Sequence, residues 1–149
     1  MDIDQARNSL KEWEQGGRES FFSMAEELGV SHDIAESNPL RLLGFWDDFV
    51  LRLPLDEFDD DDWFWLQSQI SAFIAYTLIK VHGGRWDVIA DASISSGFKY
   101  VLRVTGWDNE EHGVDVFELT HKGLRYRPPV VTQMMGEAEV AAGVTLEES

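Results

Sequence analysis

The sequence predicts an α+β domain, in which N-terminal helices and a long central helix pack on a small, about three-stranded antiparallel sheet, with a C-terminal helix. The apolar residues follow a helical period as far as residue 82 and alternate after Gly83-Gly84. No low-complexity linker divides the 149 residues, a length usual for one domain. We therefore expect a single domain over 1–149, with a helical part at 1–82, a sheet part at 85–127, and a C-terminal helix and tail at 128–149.

Three short helices are predicted before the central one. The first places apolar residues on one face from Ile3 to Trp13 and is expected to end at Gly16-Gly17. The second begins at Ser20 and stops at Gly29. The third follows Asn38-Pro39, which is typical of an N-cap and first helical turn, and ends at Pro54.

The segment from Trp63 to Val81 is the most apolar of the chain and predicts a buried central helix. Its uncharged part, from Trp63 to Ile79, falls short of the roughly 20 residues that a membrane span needs. Polar side chains interrupt it, and they are costly in lipid: Gln67, Ser68, Gln69 and Ser71. A buried helix is therefore favoured over a membrane span.

Three strands are predicted after this helix, over Arg85–Asp91, Phe98–Thr105 and Val114–Leu119. Their short connections indicate an antiparallel meander, and its apolar face should pack on the central helix. Trp86 and Phe73 are expected to be buried against each other or against common neighbours. Pro128-Pro129 is expected to end the sheet region.

A C-terminal amphipathic helix is predicted from the spacing of apolar residues after the two prolines, although Gly136 weakens it. The apolar positions are Val130, Val131, Met134, Met135 and Ala138. Residues 144–149 are expected to form a frayed tail.

The chain is strongly acidic, with 28 acidic against 12 basic residues and a formal net charge of −16. Such a field repels nucleic acid and anionic membranes and attracts cationic partners. Cysteine is absent, which excludes disulfides and thiolate metal sites. The first ten residues lack the basic and apolar regions of a signal peptide. We expect a cytoplasmic protein that binds no nucleic acid and no membrane.

A dense acidic run precedes the central helix. It does not fit a calcium-binding EF-hand loop, because a loop that starts at Glu57 would need glycine at Asp62 and glutamate at Ser68. Carboxylates at a helix start cap it and complement its dipole, yet there are more acids here than capping requires. A cationic protein partner is therefore predicted to contact two acidic segments: Glu57, Asp59, Asp60 and Asp61, and, in the loop after the second strand, Asp108, Glu110 and Glu111.

No motif for catalysis, metal or cofactor binding is evident, and we expect no cofactor. His112 and His121 lie at opposite ends of the predicted third strand, about 30 Å apart and too distant for one ion. Ser95-Ser96-Gly97 does not match the G-x-S-x-G pattern of a nucleophilic serine. The glycine-rich phosphate motifs are also missing.

The only basic patch is formed by Lys122, Arg125 and Arg127, with Tyr126 between them. It could hold a phosphate or stack on a base. In a chain of this net charge, the patch is better explained as counter-charge for neighbouring acids.

The stretch from Trp65 to about Leu124 contains His82-Gly83-Gly84-Arg85-Trp86 and Tyr100-Val101-Leu102-Arg103. It resembles small bacterial domains of unknown function that share a helix, a Gly-Gly-x-Trp junction and an antiparallel sheet. Some similar acidic proteins are immunity proteins for bacterial toxins. The resemblance implies a bacterial intracellular origin and no active site.

Three hypotheses for the function follow. The first is a non-enzymatic acidic binding protein, such as an immunity or inhibitor protein that masks a cationic partner. The second is a small-ligand-binding domain or enzyme with a pocket between helix and sheet, lined by Trp65, Tyr76 and Tyr100. The third is a homodimer-forming structural or chaperone-like module that uses the helix of Met134 and Met135.

Overall fold

A computed structural model describes residues 1–145. Within them the chain forms α-helices and an antiparallel sheet, so the α+β class is confirmed. The helices are α1 (Ile3–Asn8), α2 (Leu10–Glu27), α3 (His32–Ser37), α4 (Leu42–Leu51), α5 (Asp60–His82), α6 (Val116–Gly123) and α7 (Val131–Ala141). Single 3₁₀ turns at Pro39–Arg41 and Leu55–Glu57 precede α4 and α5.

The sheet has three strands in the order β1 (Arg85–Ala90), β2 (Phe98–Thr105) and β3 (Glu111–Val114). Leu102 at the centre of β2 pairs with Trp86 on one side and with Val114 on the other. All three side chains are buried, so this row marks the face of the sheet that packs on the helices.

Helix α5 is the central element, as predicted, and both of its ends are defined by local chemistry. At its start the backbone N–H of Asp62 donates to the Asp59 carboxylate at 2.9 Å, and the Asp62 carboxylate accepts the N–H of Asp59, which forms a capping box. At its end Gly83 adopts φ +68°, the left-handed conformation that stops helices. Within residues 1–145, no helix has both the length and the apolar character needed to cross a membrane.

Trp86 and Phe73 are both buried in the main core, which confirms their predicted burial. Their aromatic neighbours differ, however. Trp86 packs edge-on to Trp13, with ring centroids 5.5 Å apart, whereas Phe73 lies beside Phe21 and Trp46 at 6.3 and 6.2 Å. The core therefore has one aromatic group under the sheet and another between α2, α4 and α5.

The prediction that the first helix ends at Gly16-Gly17 is wrong. The break falls at Ser9, and α2 continues through both glycines to Glu27, so that it includes the predicted second helix. Two glycines cost a helix about 1 kcal/mol each. Packing of the buried Phe21 and the half-buried Trp13 against the core outweighs that cost.

The boundaries before α5 also differ from the prediction. Helix α3 was not predicted, although Ser31 caps it by accepting the N–H of Ile34 at 3.4 Å. Pro39 begins a 3₁₀ turn rather than the α-helix itself, and Asn38 makes no side-chain cap. The regular helix α4 ends at Leu51, before Pro54.

The predicted third strand over Val114–Leu119 is wrong, and the predicted sheet part at 85–127 is too long. Strand β3 covers only Glu111–Val114, and α6 follows immediately. The alternation of Val114 and Val116 looked like a strand, but Asp115 between them is the N-cap of α6 and accepts the N–H of Glu118 at 3.1 Å. The sheet therefore ends at Val114, and Pro128-Pro129 follows a helix.

The predicted C-terminal helix is present as α7, and Gly136 does not interrupt it. Its start is fixed by Asp47 of α4, whose carboxylate accepts the backbone N–H of Val131 at 2.7 Å. Of the predicted tail, residues 146–149 lie outside the described part of the chain, and Val144 is buried.

Candidate functional site

The acids at the start of α5 divide into two groups. Asp59 is the N-cap and is engaged in the capping box. Asp60 and Asp61 are exposed in the first turn, and Glu57 is exposed just before it. Within residues 1–145, none of these last three carboxylates forms an ion pair. They are therefore available to an external cation.

The acids of the β2–β3 turn are mostly engaged within the chain. Asp108 accepts hydrogen bonds from His112 at 3.0 Å, and this contact, together with the backbone N–H of Glu110, lowers the pKa of Asp108. Glu111 pairs with Arg85 of β1. Of these three acids, only Glu110 forms no ion pair within residues 1–145.

The structure does not bring the two acidic segments together. Helix α5 contains 23 residues and is therefore about 33 Å long. Glu111 contacts Arg85, which lies three residues beyond the last residue of α5. The acids of the turn are thus near one end of α5, and Asp60 and Asp61 are at the other.

Two large aromatic side chains are exposed beside the free carboxylates. Phe64 is 71% exposed and Trp65 is 42% exposed. Residues four apart are neighbours on a helix, so Asp60 lies next to Phe64 and Asp61 next to Trp65. We call these four residues the acidic–aromatic face. Sequence reasoning gave Phe64 no role, although its spacing from the acids was a usable signal.

The three residues of the predicted pocket are not brought together. Tyr100 stacks on Trp13 with ring centroids 3.7 Å apart, whereas Tyr76 stacks on Phe21 at 4.0 Å. Trp65 lies about three helical turns from Tyr76 along α5, near Phe49. Tyr76 is buried, and the resulting desolvation raises the pKa of its hydroxyl. A pocket lined jointly by Trp65, Tyr76 and Tyr100 is therefore not present in the described residues.

A different cavity lies between α2 and α5, and we call it the α2–α5 cleft. It has two adjoining lobes of about 430 and 310 Å³, which share Gly17, Ala72 and Trp86. The larger lobe is further lined by Glu12, Trp13, Gly16, Ser20, Phe64, Ser68, Ser71 and Phe117. The smaller lobe is further lined by Glu14, Arg18, Ala75, Tyr76, Ile79 and Gly84.

Three of the four histidines each contact a single carboxylate, and one of these is the pair of His112 and Asp108 described above. His82 lies 3.3 Å from Glu139, and His32 lies 3.3 Å from Glu36. Among residues 1–145, no three metal-binding side chains are clustered closely enough to hold an ion. His121, now in α6 rather than in a strand, lies near the C-terminal end of that helix.

Two residues of the basic patch, Lys122 and Arg127, have partners within the described residues. Lys122 pairs with Glu118 at 3.2 Å. The Arg127 guanidinium lies 4.7 Å from the centroid of the Trp63 ring and also donates to the backbone carbonyl of Leu124. Within residues 1–145, only Lys122 of the patch therefore acts as a counter-charge for a neighbouring acid.

Met134 and Met135 of α7 are 2% and 1% exposed. Both side chains pack in the main core of the chain. A dimer interface on α7 would therefore need other residues than these two methionines.

No protein-family model matches the chain, and comparisons with curated proteins and with solved structures found no significant match. The resemblance to small bacterial domains therefore stays a prediction.

Proposed function

We propose that this chain is a non-enzymatic binding protein that masks a positively charged partner protein, and that the acidic–aromatic face is its contact surface. The observation that carries the proposal is the exposure of Phe64 and Trp65 directly beside the unpaired carboxylates of Asp60 and Asp61. An immunity or inhibitor role is the form of masking that the sequence favours.

The chemistry of this face suits arginine and lysine side chains. Carboxylates form charge-assisted hydrogen bonds with guanidinium groups, and aromatic faces attract cations. Aromatic residues are also enriched at the centres of protein interfaces. The chain contains an internal example one residue away, where Arg127 stacks on Trp63.

The position of the face supports recognition by a protein. It lies on a helix whose opposite side is buried in the core, at Leu66, Ile70 and Phe73. The surface is therefore rigid, and binding requires little ordering of the contact residues. The acids of the β2–β3 turn lie about 30 Å away and are mostly paired, so we assign them a steering role.

The test begins with the protein captured from the native host by the wild-type chain and purified. Its association and dissociation are measured by stopped flow across a salt series. Asp60→Lys with Asp61→Lys should slow association about tenfold at low salt, because charges at an interface act mainly on the association rate. Phe64→Ala with Trp65→Ala should instead accelerate dissociation, because buried aromatic side chains stabilise the bound state.

The matched control is Glu110→Lys with Glu137→Lys, which changes the net charge equally at two other exposed sites. It should alter association by less than about threefold, since only long-range steering is affected. If the control slows association as much as the helix variant does, net charge alone explains binding. If neither variant nor salt has an effect, the acidity serves only solubility.

Asp59 is excluded from these reversals on structural grounds. It is the N-cap of α5, and replacing such a residue costs about 1 kcal/mol of stability. A reversal that includes Asp59 would therefore combine a weaker fold with altered binding.

A further inference from the structure

The α2–α5 cleft exists because two consecutive helical residues have no side chains. A Cβ atom built on Gly16 or on Gly17 meets no other atom within 4 Å. Neither glycine has a positive φ, so the backbone does not require glycine at these positions. Among the described helices this is the only consecutive glycine pair.

The pair lowers stability without a gain in packing. Each glycine inside a helix costs roughly 0.5–1 kcal/mol relative to alanine. Positions that break a local rule without structural compensation are expected at functional sites. Single open glycines also occur at Gly44 and Gly136, but the pair in α2 lines a cavity.

One wall of the larger lobe is aromatic and rigid. The rings of Trp13, Trp86 and Phe117 contact one another with centroids 5.5–6.2 Å apart. Trp13 also stacks on the ring of Tyr100, which helps to fix its orientation. Because these rings touch each other, they form a continuous surface against which a flat ring can pack.

The polar groups that line the larger lobe indicate which charge a ligand bound there can carry. Its described lining contains one ionisable side chain, Glu12, and no lysine or arginine. Ser20 and Ser68 also line it, and neither hydroxyl has a hydrogen-bond partner within residues 1–145. A ligand with a negative charge would meet Glu12 and the net charge of −16.

We propose that the larger lobe of the α2–α5 cleft is a binding site for a small, flat aromatic molecule that is neutral or positively charged. The ring packs on the wall of Trp13, Trp86 and Phe117, and a cationic group points to Glu12. The volume of about 430 Å³ lies within the usual range of small-molecule sites. This inference does not rest on the proposed partner protein.

The test uses three probes that share an indole ring and differ in charge: indole, tryptamine and indole-3-acetate. Each is titrated into the labelled full chain, and amide shifts are followed by NMR. Tryptamine and indole should shift the amides of Gly16 and Gly17. Tryptamine should bind about two- to fivefold more tightly than indole, the size of one exposed ion pair. Indole-3-acetate should bind most weakly.

Two glycine variants separate the cleft from nonspecific binding. Gly17→Leu should fill the cleft and weaken tryptamine binding at least about tenfold. Gly44→Leu is the matched control, because it adds the same side chain at another helical glycine with open space, and it should leave binding unchanged. Both variants are expected to fold, since leucine favours helix over glycine.

Glu12→Gln should remove the preference for tryptamine while leaving indole binding unchanged. The proposal is overturned if millimolar probes leave the amides of Gly16 and Gly17 unshifted, or if Gly17→Leu binds tryptamine like the wild type. It is also overturned if indole-3-acetate binds as tightly as tryptamine. Phe64 borders both the larger lobe and the acidic–aromatic face, so no Phe64 variant is used here. The two proposals are tested separately, because the variants of this test change Gly17, Gly44 and Glu12, which lie outside that face.

Discussion

Helix α5 has an open side and a closed side, and the two differ in how their polar groups and small residues are used. On the closed side, towards α6, Gln67 donates to the carbonyl of Phe117 at 3.0 Å. Ser71, which also borders the larger lobe of the cleft, donates a hydrogen bond to Thr120 of α6 at 3.1 Å. On the open side, towards α2, Ser68 borders the cleft, and its hydroxyl has no hydrogen-bond partner within residues 1–145.

Glycines show the same contrast. A Cβ atom on Gly123 of α6 would lie 2.5–2.8 Å from the Met134 side chain, so this glycine is required for close packing. A Cβ atom on Gly17 of α2 would meet nothing within 4 Å. The closed side therefore serves stability, and the open side has spare surface that we associate with binding.

The largest expected effect concerns Trp86, which forms the boundary between the core and the cleft. Trp86→Ala should lower the free energy of unfolding by about 3–5 kcal/mol, because it empties a large buried volume. Trp107→Ala is the control, since Trp107 is 72% exposed, and it should change stability by less than about 0.5 kcal/mol. Urea denaturation measures both, and equal losses would contradict the assignment of Trp86 to the core.

The second prediction compares the same substitution on the two sides. Gly123→Ala should destabilise the chain by about 1–3 kcal/mol, because it overpacks a filled region against Met134. Gly17→Ala should stabilise it by about 0.5–1 kcal/mol through helix propensity. Thermal and urea unfolding of both variants provide the test. A loss of stability in Gly17→Ala would mean that the cleft glycines have a structural role after all.

The third prediction uses matched serines on α5. Ser71→Ala should cost about 0.5–1.5 kcal/mol, because the buried Thr120 hydroxyl loses a hydrogen bond. Ser68→Ala should be neutral or slightly stabilising, because its hydroxyl has no partner in residues 1–145 and alanine favours the helix. Urea unfolding of the two variants measures this difference, and Ser71→Ala should have the lower midpoint. Equal midpoints would mean that the Ser71–Thr120 hydrogen bond does not contribute to stability.

The closed side was largely predictable from the sequence, because burial imposes a period on apolar residues. The stripe of Leu66, Ile70, Phe73 and Ile74 identified α5, and Gly83 identified its end. The misassigned third strand came from a short segment, in which Val114 and Val116 fit the period of a strand, while Val116 and Leu119 fit that of a helix. Only the position of Asp115 as an N-cap distinguishes the two structures.

The open side was predicted less well, because the spacing of apolar residues along the chain does not show which surfaces the other elements leave uncovered. Gly16-Gly17 suggested a helix end, yet tertiary packing carries α2 through both residues. The cleft depends on α2 crossing α5 over Trp86, a contact between distant parts of the chain. The acids at the start of α5 were identified, but the partners of Asp108 and Glu111 required the fold.

The smallest predicted effect is a pH dependence, and it arises from the paired groups of the sheet. Arg103 donates to the Asp87 carboxylate at 2.9 Å, and this bond, helped by the backbone N–H of Val88, lowers the pKa of Asp87 in the fold. A carboxyl group with a lowered pKa binds protons less readily in the folded chain than in the unfolded one. Its stabilisation is therefore complete above the unfolded pKa of about 3.9 and is lost as the pH falls through the folded value.

Asp87→Asn should accordingly lower stability by about 0.5–1 kcal/mol at pH 7, the size of a partly exposed ion pair. The deficit relative to the wild type should shrink between about pH 5 and pH 2, because the wild type loses the same interaction on protonation. Asp60→Asn, at the exposed start of α5, removes a carboxylate with no ion pair in residues 1–145 and should leave the acid dependence unchanged. Urea unfolding at a series of pH values measures both curves. A deficit of Asp87→Asn that stays constant down to pH 2 would mean that the Arg103 contact does not stabilise the fold through the charge of Asp87.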